Sequence, residues 1–217
     1  GYAACLRSAG WETIEVPGAE DCPDAVFVED AVVMFDDLAV LTNPGAAERK
    51  PEVAGVAEAI SGLGLESVRI SGEGTLDGGD VLKVGRTAYV GLGGRTNGAG
   101  IQQLADHVRD RGWTVQAVTV ERALHLKSAV TALPDETVIG WDPVVDWPGA
   151  FPRYEGMPEE GGAHVVIVGE GDLLMAASAP RTAELLRGRG YTVTTTDISE
   201  FEKLEGCVTC LSVRVRA

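Results

Sequence analysis

The chain has 217 residues and a formal net charge of −15, a length that suits one domain or two small ones. Its hydrophobic content of 45% and charged content of 24% are typical of a globular protein. The excess of acidic residues argues against a nucleic-acid partner, since phosphate neutralisation requires excess Lys and Arg. No run of about 18 apolar residues predicts a membrane span. We therefore expect one globular domain, residues 1–217, without nucleic-acid or membrane partners.

One pattern recurs along the sequence: Leu-Arg or Val-Arg, then Gly, then an aromatic residue, then an alternating run. Gly10, Gly112 and Gly190 carry this pattern most clearly, and Gly64 carries a weaker copy. Glycine readily adopts the left-handed conformation of a helix C-cap, and period-two alternation is typical of strands. We therefore predict that each glycine ends a helix and precedes a strand, beginning with Trp11–Val16.

Short apolar runs before these helices indicate β-hairpins. The predicted hairpins pair Val32–Phe35 with Ala39–Leu41, Val81–Val84 with Ala88–Val90, Ala129–Leu133 with Thr137–Gly140, and Val165–Val168 with Leu173–Ala176. A further strand, Val26–Val28, precedes the first hairpin, and a loop at Trp141–Met157 replaces the helix of the third unit. Strand–strand–helix–strand units repeated about every fifty residues predict an α/β propeller. A doubly wound parallel sheet is the alternative, but it does not need a hairpin in every unit.

The C-terminal segment Gly206–Val213 is predicted to be a short strand carrying two thiols, Cys207 and Cys210. Buried cysteine often serves as a small hydrophobic residue, so both thiols also have a purely structural interpretation. No second Cys or His pair completes a zinc site, and a thioredoxin-like Cys-x-x-Cys would open a helix instead. With Cys5 and Cys22, the four cysteines do not resemble a disulfide framework, which favours a cytoplasmic protein.

Charged side chains accompany the first two units. Asp24, Glu29 and Asp30 are interleaved with apolar residues, and carboxylates beside an apolar core need a cationic partner. This arrangement favours a cationic ligand, and an edge strand bearing charges is the alternative. Arg49 and Arg95 follow the first and second hairpins, and each guanidinium is suited to bind a carboxylate.

Acidic residues also flank a glycine pair in the second unit. Asp77 and Asp80 enclose Gly78-Gly79, and paired glycines allow a sharp turn or a close approach to a ligand. His125 takes the position of Asp77 in the next unit, where equivalent positions converge if the units form a ring. A single His in an apolar run is more often a core residue, and His164 is a second candidate for the same location.

Together, these segments resemble the dimethylarginine dimethylaminohydrolase family of the guanidine-modifying superfamily. The matching motifs are Asp24-Ala-Val-Phe-Val-Glu-Asp30, Pro44-Gly45 through Arg49, Leu76-Asp77-Gly78-Gly79-Asp80-Val81, Gly94-Arg95-Thr96-Asn97, Leu124-His125-Leu126-Lys127-Ser128 and Thr209-Cys210-Leu211-Ser212. They run in the family's order and cover nearly the whole chain, and the His125 motif favours this family over arginine deiminases. The resemblance implies a five-bladed α/β propeller (pentein) of ββαβ units, with an incomplete first blade.

The resemblance also implies a site and a reaction. The implied roles are a catalytic triad of Cys210, His125 and Asp77, a guanidinium grip by Asp24 and Asp30, a pocket lining of Phe27 and Glu29, and an α-carboxylate clamp by Arg49 and Arg95. The implied reaction hydrolyses N-omega-methylated arginine to citrulline and dimethylamine or methylamine through a covalent cysteine thiouronium, without a metal or organic cofactor.

Several alternatives accompany this hypothesis. The same chemistry suits arginine or another alkylguanidine, and a catalytically silent arginine-binding module belongs to a different class of protein. Relatives carry a further N-terminal strand and a mobile lid, whereas this sequence starts at Gly1 in the following helix. We expect the protein to carry that segment upstream of the sequence given, and a homodimer is compatible with the family resemblance.

Overall fold

A computed structural model describes residues 1–19 and 21–216. Their internal contacts define two compact units, one of Gly1–Ile14 and Lys127–Thr209 and the other of Glu15–Leu126 and Cys210–Ala217. We call these two compact units the first unit and the second unit; they differ from the repeated strand–strand–helix–strand units of the sequence. The single-domain organisation stays a prediction.

The described residues contain twelve strands in four three-stranded sheets. The strands are β1 Val32–Phe35, β2 Leu38–Leu41, β3 Glu66–Arg69, β4 Val81–Val84, β5 Thr87–Leu92, β6 Thr114–Thr119, β7 Val130–Ala132, β8 Val138–Gly140, β9 Tyr154–Gly156, β10 Val166–Gly169, β11 Asp172–Ala176 and β12 Thr192–Thr196. In each sheet the first two strands form an antiparallel hairpin, and the third strand pairs in parallel with the second. The predicted hairpins and the repeated unit are therefore confirmed.

Helices supply most of the crossovers that parallel pairing requires. The helices are α1 Tyr2–Ser8, α2 Glu52–Gly62, α3 Gly98–Val108, α4 Leu126–Ala129, α5 Pro180–Gly188 and α6 Ser199–Glu202. The crossovers to β3, β6 and β12 contain α2, α3 and α5, whereas the crossover to β9 contains the short 3-10 turns Asp142–Val144 and Pro148–Ala150. The α/β class is confirmed, and the arrangement as five blades stays a prediction. Within the described chain, no helix combines the length and apolar character needed to cross a membrane.

Glycine follows the helices as predicted. Gly10, Gly64, Gly112 and Gly190 have φ angles of 89°, 70°, 76° and 95°, the left-handed region that glycine enters without a Cβ penalty. The strand predicted at Trp11–Val16 is wrong, since these residues are irregular. The other three glycines precede strands that pair with an earlier hairpin, and no hairpin precedes α1 in this sequence.

The first hairpin of the second unit is buried on both faces. Val33 and Phe35 of β1 enter one apolar core with β4, β5 and α3, while Val32 and Met34 enter another with α2. Alternate side chains of a strand point to opposite faces, so one short strand contributes to both cores. This packing fixes the start of β1 and therefore the charged residues that precede it.

Two further predicted strands are wrong, and both are turns. Residues 23–26 form a turn that leads into the 3-10 helix Val28–Ala31, and Val208–Leu211 forms a turn near the C-terminus. In the first segment, the Phe27 N–H donates to the Asp24 carbonyl at 2.9 Å and the Asp30 N–H donates to the Phe27 carbonyl at 3.2 Å. These hydrogen bonds join residues three apart, which an extended strand does not allow.

Candidate active site

A buried histidine–carboxylate pair lies in the second unit. His125 precedes α4 and is 4% exposed, and the fully buried Asp77 precedes the 3-10 turn Gly78–Asp80. His125 Nε2 lies 3.0 Å from Asp77 Oδ2, and Asp77 Oδ1 accepts a hydrogen bond of 2.8 Å from the Gly45 backbone N–H. Both oxygens of Asp77 therefore have donors, and this arrangement fixes the orientation of the imidazole.

Carboxylates control the protonation of His125. Burial lowers the pKa of an imidazole, but the charge of Asp30, the hydrogen bond to Asp77 and the charge of Asp80 outweigh burial and raise the pKa of His125 to about 9. Asp30 Oδ1 lies 3.9 Å from His125 Nδ1. At neutral pH, His125 is therefore an imidazolium, a form that can donate a proton to a leaving group.

The glycine pair allows three segments to meet at this point. A Cβ on Gly79 would lie 2.7 Å from His125 Nδ1 and 2.6 Å from Asp30 Oδ1, distances that real Cβ atoms do not adopt. A Cβ on Gly78 would lie 1.9 Å from the Glu29 carbonyl oxygen. The Gly79 N–H also donates to Asp30 Oδ1 at 2.8 Å. Gly78-Gly79 thus forms a sharp turn, and a close approach to a ligand stays a prediction. The groups packed most closely against the glycines belong to His125 and to residues 23–31, which we call the acidic turn.

Arg49 is held inside the protein. It is 4% exposed, and its guanidinium donates to Asp30 Oδ2 at 2.5 Å and to Glu52 Oε2 at 2.7 Å. Its Nη2 also donates to the backbone oxygens of Asp24 and Phe27 at 3.2 and 3.3 Å. Two buried carboxylates and two carbonyl oxygens thus accept hydrogen bonds from the Arg49 guanidinium. The contact of Arg49 with a substrate carboxylate stays a prediction.

Asp30 is correspondingly committed to the protein. Burial alone would raise the pKa of Asp30, but the positive charges of His125 and Arg49 and the Gly79 N–H hold that pKa below its ordinary value. Asp30 therefore lies between the histidine and the buried guanidinium of Arg49. Its grip on a substrate guanidinium stays a prediction.

Arg95 differs from Arg49 in one important respect. Arg95 is half-buried, and its Nη1 atom is buried without a hydrogen-bond partner. A buried guanidinium nitrogen without an acceptor carries a free-energy cost, which a ligand carboxylate would relieve. A Cβ on Gly45 would lie 2.2 Å from the Arg95 carbonyl oxygen, so Gly45 packs directly against the Arg95 backbone. The same glycine thus contacts both Arg95 and Asp77.

All nine predicted site residues lie in the second unit; they are Asp24, Phe27, Glu29, Asp30, Arg49, Asp77, Arg95, His125 and Cys210. Asp24 and Cys210 are partly exposed, whereas Phe27 and Glu29 are buried. The carbonyl oxygen of Cys210 accepts a hydrogen bond of 3.2 Å from the Glu29 N–H. Cys210 is therefore tied by its backbone to the acidic turn that touches Gly78 and Gly79.

Two residues considered from the sequence lie elsewhere. Cys207 is buried in the first unit, with its Sγ 3.3 Å from Thr209 Oγ1. His164 is also in the first unit, where its Nε2 lies 2.9 Å from the Ser128 carbonyl oxygen. Both fit structural roles. All four cysteines are among the described residues, and none forms a disulfide.

Sequence reasoning missed several residues that support this site. Asp80 and Thr96 bind each other and the surrounding backbone, Glu52 binds Arg49, and Gly45 binds Asp77. Asp80 was visible beside the glycine pair, and Thr96 follows Arg95 in the sequence. Only the folded chain gives Asp80, Thr96 and Gly45 their partners, because these partners lie 16 or more residues away in the sequence.

Asp30, Asp77 and His125 present potential metal-ligand atoms within 4.8 Å of one another. These atoms already have protein partners, since Asp77 binds His125 and Asp30 binds Arg49. A cation would also be repelled by the imidazolium and by the neighbouring guanidinium. We therefore assign the three side chains to a hydrogen-bonded group rather than to a metal centre.

Comparisons with known proteins agree with this geometry. A family model described as arginine deiminase matches residues 49–160. A dimethylarginine dimethylaminohydrolase of Streptomyces coelicolor is 60% identical over 215 residues, which cover 99% of this chain and 83% of that protein.

Solved structures give the same result. The structure of a dimethylarginine dimethylaminohydrolase adduct with S-methyl-L-thiocitrulline has a TM-score of 0.89 and 30% identity, covering 97% of this chain and 84% of that one. A cysteine-to-serine mutant from Pseudomonas aeruginosa complexed with citrulline has a TM-score of 0.88 and 30% identity, with the same coverage of both chains. By sequence and fold, the chain belongs to the dimethylarginine dimethylaminohydrolase family.

Proposed function

We propose that this chain hydrolyses N-omega-methylated arginine to citrulline and dimethylamine or methylamine. The observation that carries the proposal is the buried hydrogen bond of 3.0 Å between His125 Nε2 and Asp77 Oδ2, in a chain of this family. An imidazolium held in place by a carboxylate is suited to protonate an amine leaving group. Citrulline, the product of this reaction, is the molecule complexed with the solved Pseudomonas aeruginosa relative.

In the proposed mechanism, the Cys210 thiolate attacks the guanidinium carbon and forms a C–S bond. His125 gives a proton to the methylated nitrogen, the C–N bond breaks, and the amine leaves a covalent thiouronium on Cys210. His125, now neutral, takes a proton from water as the water oxygen attacks the same carbon. The C–S bond then breaks and the new hydroxyl group loses its proton to solvent, which releases citrulline and restores the thiolate. Asp77 keeps the imidazole oriented throughout, and no cofactor is needed.

We assign substrate recognition to opposite charges on the two ends of the amino acid. Asp24 and the buried Glu29 provide an acidic, water-poor surface for the guanidinium, where low dielectric strengthens charge pairing. We assign the buried Phe27 to the lining of the same pocket. The unsatisfied Nη1 of Arg95 supports a role in binding the α-carboxylate. Arg49 acts in this proposal by holding Asp30 and the acidic turn.

A specific observation favours one competing substrate. The match of residues 49–160 to the arginine deiminase model fits the same cysteine chemistry on arginine, with ammonia as the leaving group. Contacts with methyl groups give about 1–3 kcal/mol of discrimination, so the two substrates can be separated by kinetics. We expect kcat/KM to be higher for asymmetric dimethylarginine than for arginine.

The decisive experiment measures citrulline released from asymmetric dimethylarginine by the reduced protein. We expect Cys210→Ser to abolish turnover and Cys207→Ser to retain most of it, since Cys207 is buried in the first unit. Mass spectrometry of an acid-quenched reaction should show a covalent adduct on Cys210. Equal loss in both variants, or the absence of product and adduct, would refute the proposal and favour an arginine-binding module.

A cytoplasmic location and a homodimer stay predictions. Reactive thiols and the absence of disulfides among the four cysteines support the former. Fractionation of cells that produce the protein tests the location, and analytical ultracentrifugation tests the oligomeric state.

A further inference from the structure

One buried carboxylate has no role in the proposed reaction. Asp80 ends the 3-10 turn Gly78–Asp80 and is 2% exposed. A buried carboxylate must be compensated by donors, or it destabilises the folded state by several kcal/mol. The partners of Asp80 therefore indicate why the protein retains it.

Both oxygens of Asp80 bind groups next to the site. Oδ1 accepts a hydrogen bond of 2.9 Å from the Leu126 N–H, and Leu126 directly follows His125. Oδ2 accepts a hydrogen bond of 2.6 Å from the Thr96 hydroxyl, and Thr96 directly follows Arg95. One carboxylate thus fixes the backbone beside the histidine and beside the arginine.

Thr96 extends this network to Asp77. The Thr96 side chain is fully buried, and its Oγ1 accepts a hydrogen bond of 3.1 Å from the Asp77 N–H. A closed ring of contacts results, which runs from Asp80 through Thr96, Asp77, His125 and Leu126 back to Asp80. The Asp80 carboxylate therefore fixes both partners of the His125–Asp77 hydrogen bond, His125 through Leu126 and Asp77 through Thr96.

The surrounding backbone prevents Asp80 from turning away. A Cβ on Gly91 would lie 2.4 Å from Asp80 Oδ1, so the backbone of β5 closes one side of the carboxylate. The alternative rotamers of Asp80 would break two charge-assisted hydrogen bonds within a buried space. Its geometry is consequently determined by the fold.

We propose that Asp80 is a positioning residue that sets the geometry of the His125–Asp77 pair through Leu126 and Thr96. The Leu126 N–H and the Thr96 hydroxyl occupy its two oxygens, so it acts on the proton-transfer step rather than on substrate binding. Misplacement of a catalytic pair by a fraction of an ångström slows reaction strongly. The effect on turnover rests on the proposed function, whereas the effect on the hydrogen bond does not.

Three variants of nearly constant size test the ring. Asp80→Asn keeps an acceptor for Leu126 but places an amide donor opposite the Thr96 hydroxyl. Thr96→Val removes that hydroxyl, and Thr96→Ser retains it as the matched control. We expect Asp80→Asn and Thr96→Val to lower kcat by about tenfold or more, with KM within about twofold of the original. Thr96→Ser should keep kcat within about threefold.

A spectroscopic measurement tests the geometry without substrate. The proton on His125 Nε2 gives a downfield ¹H NMR signal when it binds Asp77, and the signal is assigned by its loss in His125→Gln. We expect the signal to persist in Thr96→Ser and to shift or broaden in Asp80→Asn and Thr96→Val. If either of these two variants fails to fold, the other one and Thr96→Ser decide the question. An unchanged signal together with unchanged kcat in the folded variants would overturn the proposal, and an inactive wild-type enzyme leaves the NMR comparison decisive.

Discussion

The two arginines that follow the first two hairpins have opposite environments. Arg49 has acceptors for its buried guanidinium, chiefly Asp30 and Glu52, and these contacts raise its pKa despite burial. Arg95 has a buried nitrogen that lacks an acceptor. Removal of one partner from a buried ion pair leaves the remaining charge buried without compensation, which destabilises the folded state strongly. The same substitution at Arg49 and at Arg95 should therefore change the stability of the protein by different amounts.

We predict that Arg49→Met lowers the free energy of unfolding by about 3–5 kcal/mol, because Asp30 and Glu52 would stay buried without their cation. Arg95→Met should change stability by less than about 1 kcal/mol and raise KM by about tenfold or more, the loss expected for a charge-assisted hydrogen bond to substrate. Urea denaturation and steady-state kinetics measure both quantities. A similar loss of stability in both variants, or a raised KM only in Arg49→Met, would contradict this division of roles.

At the scale of single elements, the end of α2 shows what glycine contributes. Gly62 lies within α2 with open space around its Cβ position, whereas Gly64 follows the helix at a φ of 70°. In a helix, alanine is more favourable than glycine. In the left-handed conformation, any residue with a Cβ is less favourable than glycine. The two positions form a matched pair, two residues apart, on one exposed helix end.

We predict that Gly62→Ala raises the free energy of unfolding by about 0.5–1 kcal/mol, and that Gly64→Ala lowers it by about 1–2 kcal/mol. Urea midpoints at a constant m-value report both changes. If the two substitutions shift the midpoint in the same direction, the cap assigned to Gly64 is wrong.

Elements governed by local rules were predictable from the sequence. The hairpins, their turns and the glycine caps depend on alternation and on residues a few positions apart, and they are present. The acidic turn and the C-terminal turn Val208–Leu211 were not predictable, since apolar interleaving resembles a strand. Their conformation depends on long-range partners, such as Arg49 for Asp30 and the Glu29 N–H for the Cys210 carbonyl.

At the scale of the molecule, the site joins segments that are far apart in the chain. The family motifs indicated which segments contain site residues, but not which atoms satisfy one another. The ring through Asp80 and Thr96, the position of Gly45 and the internal pairing of Arg49 with Asp30 follow from folded distances. Buried polar groups must find partners, yet a sequence does not specify which partner each group finds.

The same buried cluster should set the pH dependence of the whole protein's stability. The pKa of His125 is about 9 in the folded chain, against an ordinary value of 6.5, because Asp30, Asp77 and Asp80 face the ring. A group with a raised pKa stabilises the folded state below its unfolded pKa, and that contribution disappears as the pH rises through the folded pKa.

We therefore predict that the free energy of unfolding falls by about 2–3 kcal/mol between pH 6.5 and pH 9. Lys is still protonated in this window, but Asp80, whose pKa is about 6, is not fully ionised at its acidic end, and thiols ordinarily titrate towards its basic end. The contribution of His125 is therefore the part of the slope that His125→Gln removes. Urea unfolding at half-unit pH intervals measures the effect, and His125→Gln is the control because its amide does not titrate. A slope of the same size in His125→Gln would show that the loss comes from the accumulated negative charge of the protein rather than from its buried imidazolium.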